Sequence, residues 1–267
     1  KIKYSKTIKA DLFIIAVPVQ YMRTTMSKFS LDSGSPILIT SKGIEKQSLR
    51  FPSEVLANMI GGEVNLAVLS GPSHAEQVVK KNPTSVVVCS ESKELTYSLR
   101  DLFFRDYFRV YCSSDMIGVQ LGGAVKNVVS IAAGISFGLN YRENTVSALV
   151  TRGLSEIKRI GDKIGVKSET LNGLSGLGDL AGTAFSSHSR NRLVGELIGR
   201  GIPLSKIVQD LGMVAEGIET SKSIYKLIEK VNVDAPICRK VYEVVHKNKD
   251  PNMAILELMT RSMKSTE

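Results

Sequence analysis

Between Asp115 and Gly138 the chain reads DMIGVQLGGAVKNVVSIAAGISFG, almost wholly apolar and small, with Lys126 in its middle. A segment that is apolar on every side folds as a helix buried all round or as a membrane span. Lys126 and the glycines interrupt the apolar run, so no membrane span is expected. That leaves a central helix packed on all faces, and Ala132, Ala133 and Gly134 suit such packing. Lysine is almost never fully buried without a partner. The Lys126 ammonium therefore either snorkels to water along its own stem or meets a carboxylate or a ligand. Gly122 and Gly123 precede it by four and three residues, on one helix face. Glycine costs about 1 kcal/mol in a helix and lets another backbone or a ligand come close. Asn127 adds an amide donor and acceptor beside the ammonium. Burial lowers a lysine pKa and a nearby carboxylate raises it. A balance near the operating pH suits acid–base catalysis.

Ahead of this helix the pattern is different. ADLFIIAVP, SPILIT, VNLAVLS, PTSVVVCS and FRVYCS are short apolar or β-branched runs, each closed by turn-forming residues. HAEQVVKK and SKELTYSLRDLFF, between them, have helical spacing. Apolar strands alternating with helices predict a mostly parallel α/β sheet covered on both faces. After Asp115 only helical periodicity continues. The expected architecture is α/β and then all-α: an incomplete Rossmann-type doubly wound sheet over 1–114, then a helical substrate-binding domain over 115–267. No repeat of solenoid period is visible.

The formal charge is +9, but the basic residues are scattered apart from a lysine-rich start. With no basic stripe interleaved with aromatics, nucleic acid is not an expected partner; small phosphorylated ligands are. Cys89, Cys112 and Cys238 are few, odd in number and far apart, which fits a reducing, cytoplasmic setting better than a disulfide framework or a zinc site. His74 and His188 lack metal-ligand spacing, and no metal is expected.

Ligands of open α/β sheets bind beyond the carboxyl ends of the strands. The residues standing there are Val17-Pro18-Val19, Ser41-Lys42-Gly43 and Gly71-Pro72-Ser73-His74. Lys42 and Ser73 offer donors to an anion. In NGLSGLGDLAGT, Asp179 is a lone carboxylate in an uncharged, glycine-rich loop; it caps the next helix or turn or answers Lys126. Ser189, Arg190 and Asn191 open the LVGELIG helix, where an arginine, polar donors and the helix dipole make either a phosphate seat or a solvated cap. No G-x-G-x-x-G occurs; Gly176 to Gly182 has the wrong spacing and no strand before it.

With SKG, SGPSHAE, QLGGAVKNVVSIAAG, TRGLSEI, GLSGLGDL, SRNR and VAEG in this order, the chain closely resembles the bacterial NAD(P)-dependent glycerol-3-phosphate dehydrogenases over nearly its whole length. The resemblance implies reversible reduction of dihydroxyacetone phosphate to sn-glycerol 3-phosphate by NAD(P)H, supply of glycerophospholipid synthesis, and a homodimer. It implies Lys126 and Asp179 as catalytic residues. Lys42, Gly71, Ser73, Asn127, Ser189, Arg190 and Asn191 would join them at the substrate. Lys42, Ala75, Arg190, Val214 and Glu216 would meet the cofactor. The family carries its G-x-G-x-x-G and first strands ahead of this point, and the chain opens at Lys1, so a member lacking that N-terminal cradle is expected. Two rivals remain: a β-hydroxyacid dehydrogenase acting on a substrate without phosphate, and an inactive metabolite-binding remnant.

Overall fold

The computed structural model describes residues 7–31, 34–61, 64–211 and 215–262. Its strands are β1 (Thr7–Ile8), β2 (Phe13–Ile15), β3 (Ser30–Leu31), β4 (Ile37–Ile39), β5 (Leu66–Ser70), β6 (Thr84–Ser90) and β7 (Phe108–Ser113). The helices of this part are α1 (Met22–Met26), α2 (Pro52–Ile60), α3 (Ala75–Val79) and α4 (Lys93–Phe103). From Met116 onward the described residues form helices only: α5 (Met116–Gly138), α6 (Glu143–Lys163), α7 (Ser168–Asn172), α8 (Asp179–Phe185), α9 (Arg190–Gly199), α10 (Leu204–Leu211), α11 (Glu216–Lys230), α12 (Pro236–Lys247) and α13 (Pro251–Met259).

The main sheet runs β2-β4-β5-β6-β7, while β1 pairs with β3. All five apolar runs read from the sequence become its strands. Its pairs are parallel except β5 with β6. That exception has a local cause. The Ser70-to-Thr84 connection carries only the short α3, and the chain folds back instead of crossing over the sheet, which usually takes a full helix. The consequence for the site is simple: β2, β4 and β5 end at one edge, and their following residues converge there.

The α5 helix is the axis of the second half. It is long and apolar enough to cross a membrane, yet 89% of its most apolar window is buried inside the protein. Its N-terminus is fixed by Asp115, whose carboxylate accepts the Gly118 N–H at 2.8 Å and the Lys167 N–H at 2.9 Å. Its closest partner is α9, and glycine sets that approach. Gly134 and Gly138 on α5 face Gly195 and Gly199 on α9. A Cβ on Gly134 would stand 2.0 Å from the Arg192 carbonyl oxygen, and one on Gly195 would stand 2.1 Å from that of Ile131. Both obstacles are backbone, which cannot rotate away.

Gly134→Ala and Gly195→Ala should therefore destabilise, although alanine is the better helix former by about 1 kcal/mol. Overpacking costs about 1–3 kcal/mol and occasionally more. We expect each variant to lose roughly 5 °C or more in Tm. Calorimetry showing no loss would mean that the two helices can part at little cost.

One carboxylate works purely in the framework. Glu156 on α6 is buried and accepts the N–H groups of Ile237 at 2.6 Å and Cys238 at 3.0 Å, capping α12 from another helix. Burial pushes its pKa up, against the pull of those two backbone donors.

Candidate active site

At the carboxyl edge of β2, β4 and β5 lies a cleft of about 560 Å³, closed on its far side by residues of α5, α8, α9 and α11. Lys126 lines it. Only 7% of the residue is exposed, so the lysine does not snorkel out. Its Nζ donates to Asp179 Oδ1 at 2.6 Å and to Thr183 Oγ1 at 2.9 Å. Lys42, just past β4, donates from its Nζ to the other oxygen, Asp179 Oδ2, at 2.5 Å and to the Gly71 carbonyl at 3.3 Å. One buried carboxylate thus sits between two ammonium groups.

Glycines make this convergence possible. On α5, a Cβ at Gly122 would lie 2.3 Å from the Ser175 carbonyl oxygen, so the turn before Asp179 rests directly on the helix backbone. At Gly123 the neighbours are the Ser70 hydroxyl and the Lys42 stem. Gly71 has φ +140°, and its Cβ would meet the Val86 Cα at 2.9 Å, so no other residue could present that carbonyl to Lys42. Beside the strand ends, the Ser41 hydroxyl donates to the Val17 carbonyl at 2.6 Å and holds the two segments together.

The stretch that reads as a glycine-rich loop around Asp179 is helical. Leu174–Gly178 forms a π turn that runs straight into α8, and Asp179 is the first residue of α8. The carboxylate caps nothing; Thr183, one turn on, donates instead to the Asp179 carbonyl at 2.6 Å. Thr183 lines the cleft and is not found from the sequence. Its signal is the four-residue spacing from Asp179, which carries meaning only once the segment is known to be a helix.

The charges are mutually consistent. Burial pushes the Lys126 amine down, the Lys42 ammonium pushes it further, and Asp179 pulls it part of the way back, leaving it at about 8. Burial pushes the Asp179 carboxyl up, but the two ammonium groups outweigh that and hold it below the usual carboxylate range. Glu216, at the start of α11, lines the cleft with its carboxyl pushed up by burial against the pull of Lys42, Lys126 and Arg190.

In the same lining Ser189 caps α9, its hydroxyl accepting the Arg192 N–H at 3.2 Å, and Arg190 is the first helical residue. Asn191 accepts the Gly217 N–H at 2.9 Å and donates to Asn127 Oδ1 at 2.9 Å, joining α9, α11 and α5. That bond leaves the Asn127 amide hydrogens without an acceptor among the described residues.

Most of the residues singled out from the sequence line this one cleft: Lys42, Ser73, Ala75, Lys126, Asn127, Ser189, Arg190, Asn191 and Glu216. Asp179 lies behind the two lysines, only 2% exposed, and Gly71 reaches the site through its carbonyl. Val214 lies outside the described residues. Pro18 and His74, which the sequence places beyond strand ends, also line the cleft, as do Ala16, Glu76 and His188, to which the sequence alone gives no role there.

An α/β sheet with a helical partner half, and a buried lysine–aspartate pair in a cleft at the strand ends, match the class of two-part dehydrogenases that hold a nucleotide at a sheet edge and a small substrate against helices. Comparison with known proteins narrows the class. The family model for the NAD-dependent glycerol-3-phosphate dehydrogenase C-terminus matches residues 115–256, and that for the N-terminus matches residues 3–96. The NAD(P)+ glycerol-3-phosphate dehydrogenase of Clostridium botulinum is 43% identical over 97% of this chain and 78% of its own length. That of Staphylococcus aureus is 42% identical over 96% and 78%. The crystal structure of glycerol-3-phosphate dehydrogenase from Coxiella burnetii superposes with a TM-score of 0.90 at 37% identity, covering 94% of this chain and 77% of that one. This chain belongs to the NAD-dependent glycerol-3-phosphate dehydrogenase family. It is an NAD(P)-dependent oxidoreductase.

Proposed function

We propose that the chain catalyses the reversible reduction of dihydroxyacetone phosphate to sn-glycerol 3-phosphate, with Lys126 as the proton donor to the C2 oxygen and as its acceptor in the reverse direction. The observation that carries this reading is the ion-paired, buried Lys126 sharing one cleft with Arg190. The placement of the cations suits a phosphate: beyond the Lys126–Asp179 pair, Lys42 and Arg190 both line the cleft, with Glu216 and Glu76 as its other charged lining residues. Asn127 and the N-terminus of α9 add N–H donors. As negative charge develops on the carbonyl oxygen, the Lys126 ammonium stabilises it where water is largely excluded.

The cleft also suits one end of a nicotinamide dinucleotide. Ala16 and Pro18 form an apolar strip at the end of β2. Glu216 makes no ion pair or hydrogen bond among the described residues, so its oxygens are available to a ligand's N–H groups. Lys42, Ala75, Arg190 and Glu216 would hold the cofactor, which when bound supplies the hydride.

Arg190→Met tests the substrate class. Losing a charge-assisted contact to phosphate should raise KM for dihydroxyacetone phosphate by about 10- to 100-fold, with a much smaller change in kcat. Steady-state NADH oxidation reads both. A hydroxy acid without phosphate proving the better substrate of the unmodified enzyme would overturn the assignment in favour of the β-hydroxyacid dehydrogenase reading.

A further inference from the structure

We propose that His74 is a specificity residue of this site: its imidazole accepts a hydrogen bond from the terminal hydroxyl of the three-carbon substrate. This rests on the substrate reading above and goes beyond the residues so far given a role. His74 immediately precedes α3, between Ser73 and Ala75, and lines the same cleft as Lys126, Thr183 and Arg190. No ion pair, ring stacking or side-chain capping bond occupies its ring among the described residues.

A three-carbon keto phosphate needs three different environments. The reacting carbonyl needs a proton donor, and the phosphate needs cations and N–H groups. The remaining CH2OH group needs an acceptor for its proton. The first two are in place at Lys126 and at Arg190 with the α9 N-terminus. Several acceptors of the cleft are already engaged: both Asp179 oxygens receive lysine N–H groups and Asn127 Oδ1 receives Asn191, while the Ser73 hydroxyl gives its proton to the Gly71 carbonyl at 3.2 Å and keeps its lone pairs. Glu216 and Glu76 are further carboxyl groups of the lining; Glu76 is exposed, and Glu216 is a half-buried group within the fields of Lys42, Lys126 and Arg190.

His74 stands near Lys126 in this lining. The charges that act on its ring are those of Lys126, Asp179 and Glu76, and the Gly182 carbonyl on α8 is the backbone acceptor beside it. Burial and Lys126 both oppose protonation and hold the ring below its ordinary pKa, so at neutral pH it carries one N–H and one bare nitrogen. With the N–H directed to the Gly182 carbonyl, the bare nitrogen is an acceptor for a hydroxyl next to the reacting carbon.

The test compares dihydroxyacetone phosphate with its 1-deoxy analogue, which carries a methyl group in place of CH2OH, in the enzyme and in two variants. The unmodified enzyme should prefer dihydroxyacetone phosphate by about 10- to 100-fold in kcat/KM. In His74→Phe that preference should collapse to less than about threefold, chiefly through loss of rate on the hydroxylated substrate. His74→Gln, which restores an acceptor on a side chain of similar reach, should recover most of it. A purely structural role for the ring would lower both substrates together and leave the ratio unchanged, and that result overturns the proposal, as does an unmodified enzyme that does not distinguish the two. Failure of the substrate reading looks different: the unmodified enzyme would then turn over neither phosphate ester.

Discussion

Lys126→Met should remain folded and lose turnover by at least about 10³-fold in both directions, combining the general acid–base and electrostatic contributions of the amine. Methionine reproduces the length and apolar stem of lysine without the charge, so packing along α5 is kept. The carboxylate it abandons is not orphaned, because Lys42 still donates to Asp179 at 2.5 Å. Tm should therefore shift by only a few degrees while kcat collapses, and measuring both on one preparation separates chemistry from folding. The unmodified enzyme provides an independent reading of the same amine. Reduction needs the ammonium and oxidation needs the free amine. With the amine at about 8, the rate of reduction should fall as pH rises through that value and the rate of oxidation should rise. A variant with undiminished turnover would remove Lys126 from the mechanism altogether.

Why the sequence reveals some of this and not the rest comes down to the range of each interaction. Strand and helix periodicities are local, so the five apolar runs and the long α5 are read directly. The site candidates at strand ends obey a topological rule, and Lys42 and Ser73 are legible for that reason; the SRN triplet is legible as a helix start. The partnership of Lys126 with Asp179 rests on charge compensation across fifty-three positions; no local pattern encodes it. The contact that brings the two together is Gly122 against Ser175, a helix glycine that admits another backbone, and its partner cannot be named from the glycine alone. Thr183 escapes the sequence because a π turn with three glycines around it reads as a loop. The antiparallel β5–β6 pair escapes it because parallel and antiparallel strands look alike until the length of the connection is weighed. His74 lacks metal-ligand spacing, but that has no bearing on its place in the cleft.

Asp179→Asn should be the more damaging change to the fold and nearly as damaging to activity. The amide can still accept a hydrogen bond but carries no charge, so two ammonium groups that shared one carboxylate are left facing each other in a buried site. Removing one member of a buried ionic cluster costs about 3–5 kcal/mol, unless the cluster relieves itself by losing a proton. Here it has that escape. Without Asp179 the forces that already depress Lys126, burial and the charge of Lys42, are unopposed, and its pKa falls below 8 towards neutrality. This fixes the sign of the stability effect. A lysine whose folded pKa is depressed binds fewer protons folded than unfolded, so stability rises with pH between its folded pKa and its ordinary value near 10.4. The gap in Tm between the unmodified protein and the variant should thus be widest near pH 6 and narrow as pH rises to 9. Asp179 itself contributes in the opposite sense. Its carboxyl is held below the ordinary range, so its stabilisation is present above about pH 4 and lost only at greater acidity, outside this window. In catalysis the variant's amine is mostly neutral at pH 7.5, where an acid is required, and it has also lost the carboxylate that orients it. Reduction at pH 7.5 should fall by about 10²-fold or more, and part of that loss should return on lowering the pH to 6, a larger relative gain than the unmodified enzyme shows over the same range. A variant whose reduction profile keeps its alkaline limb near pH 8 would show that Asp179 does not set the protonation of Lys126.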